Sequence, residues 1–134
     1  DTFRAGFPDV FYGIDQPFVP FFHVDDDRAE TVGRYTGGRF VALARRAFDD
    51  HIAWFCGLPL RNPCLMRELF RAGGAHIWSE HNDALFASAD LLCVHTHAGG
   101  DRRFMLPSGT ALAMTLAVGS TTLIDATTGE VVLG

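Results

Sequence analysis

The chain has no lysine: all eleven basic residues are arginine, spread from Arg4 to Arg103 and nowhere gathered into a block. With a formal charge of -5, that scatter argues against nucleic acid as a partner, because no basic patch is available to meet phosphates. Cysteine is scarce as well. Cys56, Cys64 and Cys93 are odd in number and lack CxxC spacing, which argues against a disulfide framework and makes a reducing, cytoplasmic compartment the default. No apolar run approaches the length that spans a bilayer, so no membrane insertion is expected. The opening DTFRAGFPDVFYG lacks the basic region and apolar stretch of a signal peptide. The initiator methionine is missing too. A chain that begins at Asp1 is expected to have been processed, excised or read from a partial gene, with the main activity upstream.

What is present suits a globular domain, alone or with a small appendage: 134 residues, 48% of them apolar and 20% charged. Aromatic weight is concentrated in residues 1–29, where Phe3, Phe7, Phe11, Phe18, Phe21 and Phe22 are interrupted by Pro8, Pro17 and Pro20. The prolines break any regular period, so this segment reads as an irregular arm that must pack on something. Asp25-Asp26-Asp27 reads as a solvated turn.

Residues 30–74 read as a β meander followed by a helix. ETVGRY, RFVALARRAF and HIAWFCGLPL are strand-length runs separated by Thr36-Gly37-Gly38 and Asp49-Asp50 turns. Ala, Leu and Arg would let FVALARRAF be helical, but the close turns favour strand. Asn62 before Pro63 is a helix start and Gly73-Gly74 a stop, so PCLMRELFRAG is predicted as a helix with Leu65, Leu69 and Phe70 on one face. In residues 75–134, AHIWSE, ALFASAD, LLCVHTHAGG, DRRFMLPSG, TALAMTLAVGS, TTLIDATTG and EVVLG are short apolar runs punctuated by turn residues. That pattern predicts an antiparallel β module. The fold class expected is α+β, predominantly antiparallel, with a meander, a small β-sandwich and one main helix.

His95 and His97 stand two apart in VHTHAGG, on a run that reads as a strand leading into a Gly-Gly hairpin turn. Alternation would then put both imidazoles on one face, where a third ligand, His76 or His81, could complete a metal site of the cupin type. Asp101 and Gly109 fall near the positions of that motif's carboxylate and glycine, but no histidine follows His97 for its second half. The competing reading is a pair of cross-strand histidines on a half-exposed face, and it leaves the chain without a cofactor. His76, Glu80, His81 and Asp83 crowd HIWSEHND, where acid–base chemistry competes with a polar turn. Cys56, Cys64 and Ser79 are the nucleophile types present, none on a strand-to-helix elbow. RAGGAH follows a helix where a phosphate cradle would precede one. Trp54, Trp78 and the phenylalanines raise a sugar-stacking role against the alternative of core packing.

A longer pattern overlies these. Gly33-Arg34-Tyr35 with Gly37, then Gly57-Leu58-Pro59-Leu60, then Leu65-Met66-Arg67, Leu69, Ala72-Gly73 and His76 appear in order. Val94-His95, Leu106-Pro107, and Asp125, Thr128, Gly129 and Glu130 follow. Over about residues 30–134 this resembles the C-terminal region of multidomain glycoside hydrolases related to the trimer-forming beta-galactosidases. There, the end of an amidotransferase-like domain is followed by a small antiparallel β domain. The resemblance implies an accessory portion that packs on upstream domains or in a homo-oligomer and borders a carbohydrate site. It carries over no catalytic residue, since the two carboxyl groups of such enzymes belong to a barrel this chain does not resemble.

Overall fold

The computed structural model describes residues 16–17, 19–20 and 22–134. Phe3, Phe7, Phe11, Phe18 and Phe21 of the arm reading lie outside the described residues. The chain divides between Glu68 and Leu69 into two compact units. Strands are antiparallel throughout the described residues, which bears out the predominantly β, α+β class.

The first unit holds a meander of β1 (Glu30–Arg34), β2 (Val41–Ala47) and β3 (Ile52–Cys56), ordered β1-β2-β3. FVALARRAF is therefore strand, because hydrogen-bonding partners on both sides outweigh the helix propensity of its Ala, Leu and Arg residues. Ala42, Leu43 and Ala44 of this central strand are buried. The β2–β3 register is regular and pairs Ala44 with Phe55, Arg45 with Trp54 and Arg46 with Ala53. Those pairs fix which side chains share a face.

Helix α1 (Pro63–Ala72) has both predicted ends. Asn62 Oδ1 accepts the backbone N–H groups of Cys64 (3.0 Å) and Leu65 (3.1 Å), two of the donors that a helix start leaves unpaired. At the other end Ala75 N–H bonds the Phe70 carbonyl and Gly74 N–H bonds that of Arg71, a Schellman closure with Gly74 at φ 78°. Leu65 is buried as expected, but Phe70 is 53% exposed and departs from the predicted apolar face.

The second unit contains two sheets. Strands β4 (Ala84–Ala87), β5 (Leu91–His95), β8 (Thr121–Asp125) and β9 (Val131–Leu133) form one sheet in the order β4-β5-β8-β9, and β6 (Gly100–Met105) with β7 (Ala111–Leu116) form the other. Alternate residues of both meet in one cluster of Leu92, Val94, Phe104, Leu116 and Ile124, flanked by Trp78, Leu85, Leu112 and Met114. This is period-2 patterning with one buried face per sheet.

Two strand expectations fail in this unit. AHIWSE reduces to an isolated bridge of Ser79 with Phe104, because the Ser79 hydroxyl accepts the His81 N–H and turns the chain away. The Gly99-Gly100 step is not a hairpin turn. Strand β5 pairs with β4 and β8, β6 pairs with β7, and the residues between them carry the chain from one sheet to the other. Gly99 makes that corner: at φ 64°, a Cβ there would sit 2.7 Å from the Val118 nitrogen.

Candidate functional site

The corner decides the fate of His95-Thr96-His97. Strand β5 ends at His95, and His97 lies in the bend that follows, so the two imidazoles do not alternate along one strand. Thr96 between them is fully buried and its N–H bonds the Ser120 carbonyl. His95 points outward opposite its cross-strand neighbour Thr121, with Nδ1 2.9 Å from that hydroxyl. His76 Nε2 donates to the Met105 carbonyl at 2.6 Å, and its ring meets Trp78 edge-on. His81 uses its backbone N–H on Ser79. Among the described residues no three His, Cys, Asp or Glu side chains converge on a point where a metal would sit.

The carboxylates of the same region have cationic or hydroxyl partners. Glu80 pairs with Arg71, and Asp101 accepts the Thr115 hydroxyl at 2.6 Å. Asp83, expected in a polar turn, is turned into the protein beside Arg102, with side-chain exposures of only 6% and 10%. Arg102 reaches both carboxylate oxygens and also donates to Thr96 Oγ1 at 3.0 Å, and the same oxygen accepts the Gly99 N–H at 3.1 Å. Hydrogen bonding from Arg102 holds the Asp83 carboxyl below the usual carboxylate range against the opposing effect of burial. The network ties β6 to the segments that precede β4 and follow β5. A sequence signal for it existed. In DRRFML, Arg102 is in phase with Phe104 and Leu106, so alternation places a charge on the core face and requires a buried counter-charge.

On the outer face of the larger sheet, register aligns Phe86 with Cys93, Cys93 with Leu123 and Leu123 with Leu133. This gives one apolar row across all four strands. Its ends are open, Phe86 being 72% and Leu133 69% exposed. Neither row nor register could be read before the strand order was known.

The first unit carries a groove of about 330 Å³, near the lower end of the roughly 300–1,000 Å³ range of ligand pockets. Its floor is made by two alanines, Ala44 and Ala53, on neighbouring strands. Phe55, opposite Ala44, and Arg46, opposite Ala53, stand at the two ends of a diagonal across them, which spans about 7–8 Å between such positions in a sheet. Arg46 is held in place twice: its Nη1 meets Asp26 Oδ2 at 2.6 Å, and its guanidinium carbon lies 4.6 Å from the centre of the Phe48 ring. Phe48 in turn stacks on His51 at 4.7 Å. Asp26 opens the turn expected of it, its carbonyl accepting the Ala29 N–H at 3.1 Å, but its carboxyl is only partly exposed and lies below the usual range, first through the Arg28 N–H and then through its side-chain partners Arg28 and Arg46.

The two tryptophans separate. Trp78 belongs to the hydrophobic cluster of the second unit. Trp54 borders the groove, but its register with Arg45, whose guanidinium pairs with Glu30, assigns its ring to the opposite face of the meander. The groove, which Phe48 also lines, is faced by the neighbour of Trp54, Phe55, with 42% exposure. No cation or second ring stacks on it among the described residues. The stacking reading covered Trp54, Trp78 and the phenylalanines alike, and the β2–β3 register is what separates Phe55 from Trp54. Comparison of the chain with protein-family models, with curated proteins and with solved structures finds no match.

Proposed function

We propose that this chain is a noncatalytic accessory portion of a carbohydrate-active enzyme of the glycoside hydrolase type, which packs through its β module on other domains or on further subunits. The observation that carries the packing role is the row Phe86–Cys93–Leu123–Leu133, which crosses the outer face of the four-stranded sheet. Apolar rows of that extent on one sheet face belong to surfaces that another surface covers. The carbohydrate assignment is supported by the ordered resemblance over residues 30–134. Its closing motif occupies a structural position: Asp125 Oδ1 accepts the N–H groups of Thr127 and Thr128, both at 2.8 Å, to build the closing turn. The histidines and carboxylates that might have served chemistry are instead engaged locally, His76 by Met105, His95 by Thr121 and Asp83 by Arg102.

The row is tested with a hydrophobic fluorescent dye. The isolated chain should bind the dye at this face, and Leu123→Asp should remove the binding while the far-UV circular dichroism stays unchanged. Absence of dye binding by the wild-type chain would contradict the packing role. Turnover of aryl glycosides by the purified chain would contradict the noncatalytic one.

A further inference from the structure

We infer that the groove of the β1–β2–β3 meander binds a neutral, polyhydroxylated ring, with one face of the ring against Phe55 and its hydroxyl edge on Arg46 and Asp26. Three features select that chemistry. First, the floor is Ala44 and Ala53, so side chains are absent where a ring would lie, while Phe55 and Arg46 rise diagonally on either side. Second, the open ring of Phe55 is a flat apolar surface suited to the C–H face of a saturated ring. Third, Arg46 and Asp26 present donors and acceptors side by side, with Asp26 Oδ2 on Arg46 and its Oδ1 on Arg28. A hydroxyl both donates and accepts, so it can use both partners. An anion would meet the Asp26 carboxylate, and a cation would meet the Arg46 guanidinium.

The polar pair is also pre-aligned. Ion pairing to Asp26 and stacking on Phe48 fix the plane of the guanidinium, and one of its five N–H groups is used by Asp26. The Arg46 donors not directed at Asp26 have no acceptor among the described residues. A ligand hydroxyl therefore meets donors whose orientation has already been set, which reduces the ordering cost of binding.

This inference deepens the proposed function and rests on it only for the choice of sugars as probes. The test is saturation-transfer NMR on the full chain with methyl β-D-galactopyranoside, methyl β-D-glucopyranoside and myo-inositol as separate probes. Ala53→Leu fills the floor and Phe55→Ala removes the stacking face; both positions are exposed on an edge strand, so both variants should remain folded, as checked by circular dichroism. The expected result is transfer to the C–H protons of at least one glycoside, lost in both variants. Transfer to inositol but to neither glycoside would sustain the groove's chemistry and overturn the carbohydrate reading. No transfer to any of the three, or transfer unchanged in the two folded variants, would overturn the inference.

Discussion

Removing Asp83 should destabilise the second unit substantially, and removing Arg102 along with it should restore most of the loss. Asp83→Leu leaves the Arg102 guanidinium on the inner face of β6, beside Phe104 and Met114, with Thr96 as its remaining side-chain partner. Breaking one member of a fully buried ion pair costs about 3–5 kcal/mol, because the surviving charge stays desolvated; this pair is part-buried, so water reaches the surviving guanidinium and the loss falls to about 2–3 kcal/mol. A unit of this size has a total stability of roughly 3–10 kcal/mol, at 0.05–0.15 kcal/mol per residue. The loss is therefore a large share of the whole. The double variant Asp83→Leu/Arg102→Met replaces the pair by apolar groups and should return to within about 1 kcal/mol of wild type, or exceed it. The assay is urea unfolding followed by Trp78 fluorescence in a Trp54→Phe background, which silences the tryptophan of the first unit. With a slope of about 1–1.5 kcal/mol/M, the Asp83→Leu midpoint should fall by at least about 1 M. A fall worth less than about 1 kcal/mol, or a double variant no more stable than the single, would refute the claim that the pair is buried and mutually dependent.

The same pair sets an acid limit. Because the folded Asp83 carboxyl lies below its unfolded value of about 3.9, its contribution is fully present above that pH and is lost as pH falls through the depressed folded value. Asp125, lowered by the Thr128 and Thr127 N–H groups, acts in the same direction. Stability measured from pH 6 down should therefore be flat to about pH 4 and then decline, less steeply in the Asp83→Leu/Arg102→Met variant. Gly99→Ala, with its Cβ driven onto the backbone of residues 116–118 at a positive φ, should lower the melting temperature sharply, and an unchanged melt would contradict the corner geometry. His95→Ala and His97→Ala, both exposed, should each shift stability by less than about 1 kcal/mol, with or without chelator. Metal-dependent folding would revive the cupin-type site.

Much of the fold was legible because local signals agreed with the final packing. Asn62-Pro63 and Gly73-Gly74 bound the helix as read, and the alternation in LLCVH and TTLID survives as buried Leu92, Val94, Thr122 and Ile124. What failed was non-local. His95-Thr96-His97 followed by Gly99-Gly100 carries a plausible hairpin pattern, yet pairing of β5 with β8 takes the place a hairpin would have used, and no local residue announces that choice. The groove was hidden for a related reason. Its floor is two alanines and its walls are a diagonal pair, Phe55 and Arg46, that become neighbours only once the β2–β3 register is fixed. Trp54 and Phe55 are adjacent in sequence, and one step of alternation turns them to opposite faces.

The packing role of the outer sheet face is the claim on which the proposed function stands, and sedimentation velocity over a range of concentrations tests it most directly. An uncharged row from Phe86 to Leu133, uncovered in the isolated chain, should drive reversible self-association, so the weight-average sedimentation coefficient should rise with concentration for wild type and stay flat for Leu123→Asp. A wild-type chain that remains monomeric at every concentration, indistinguishable from Leu123→Asp, would contradict it.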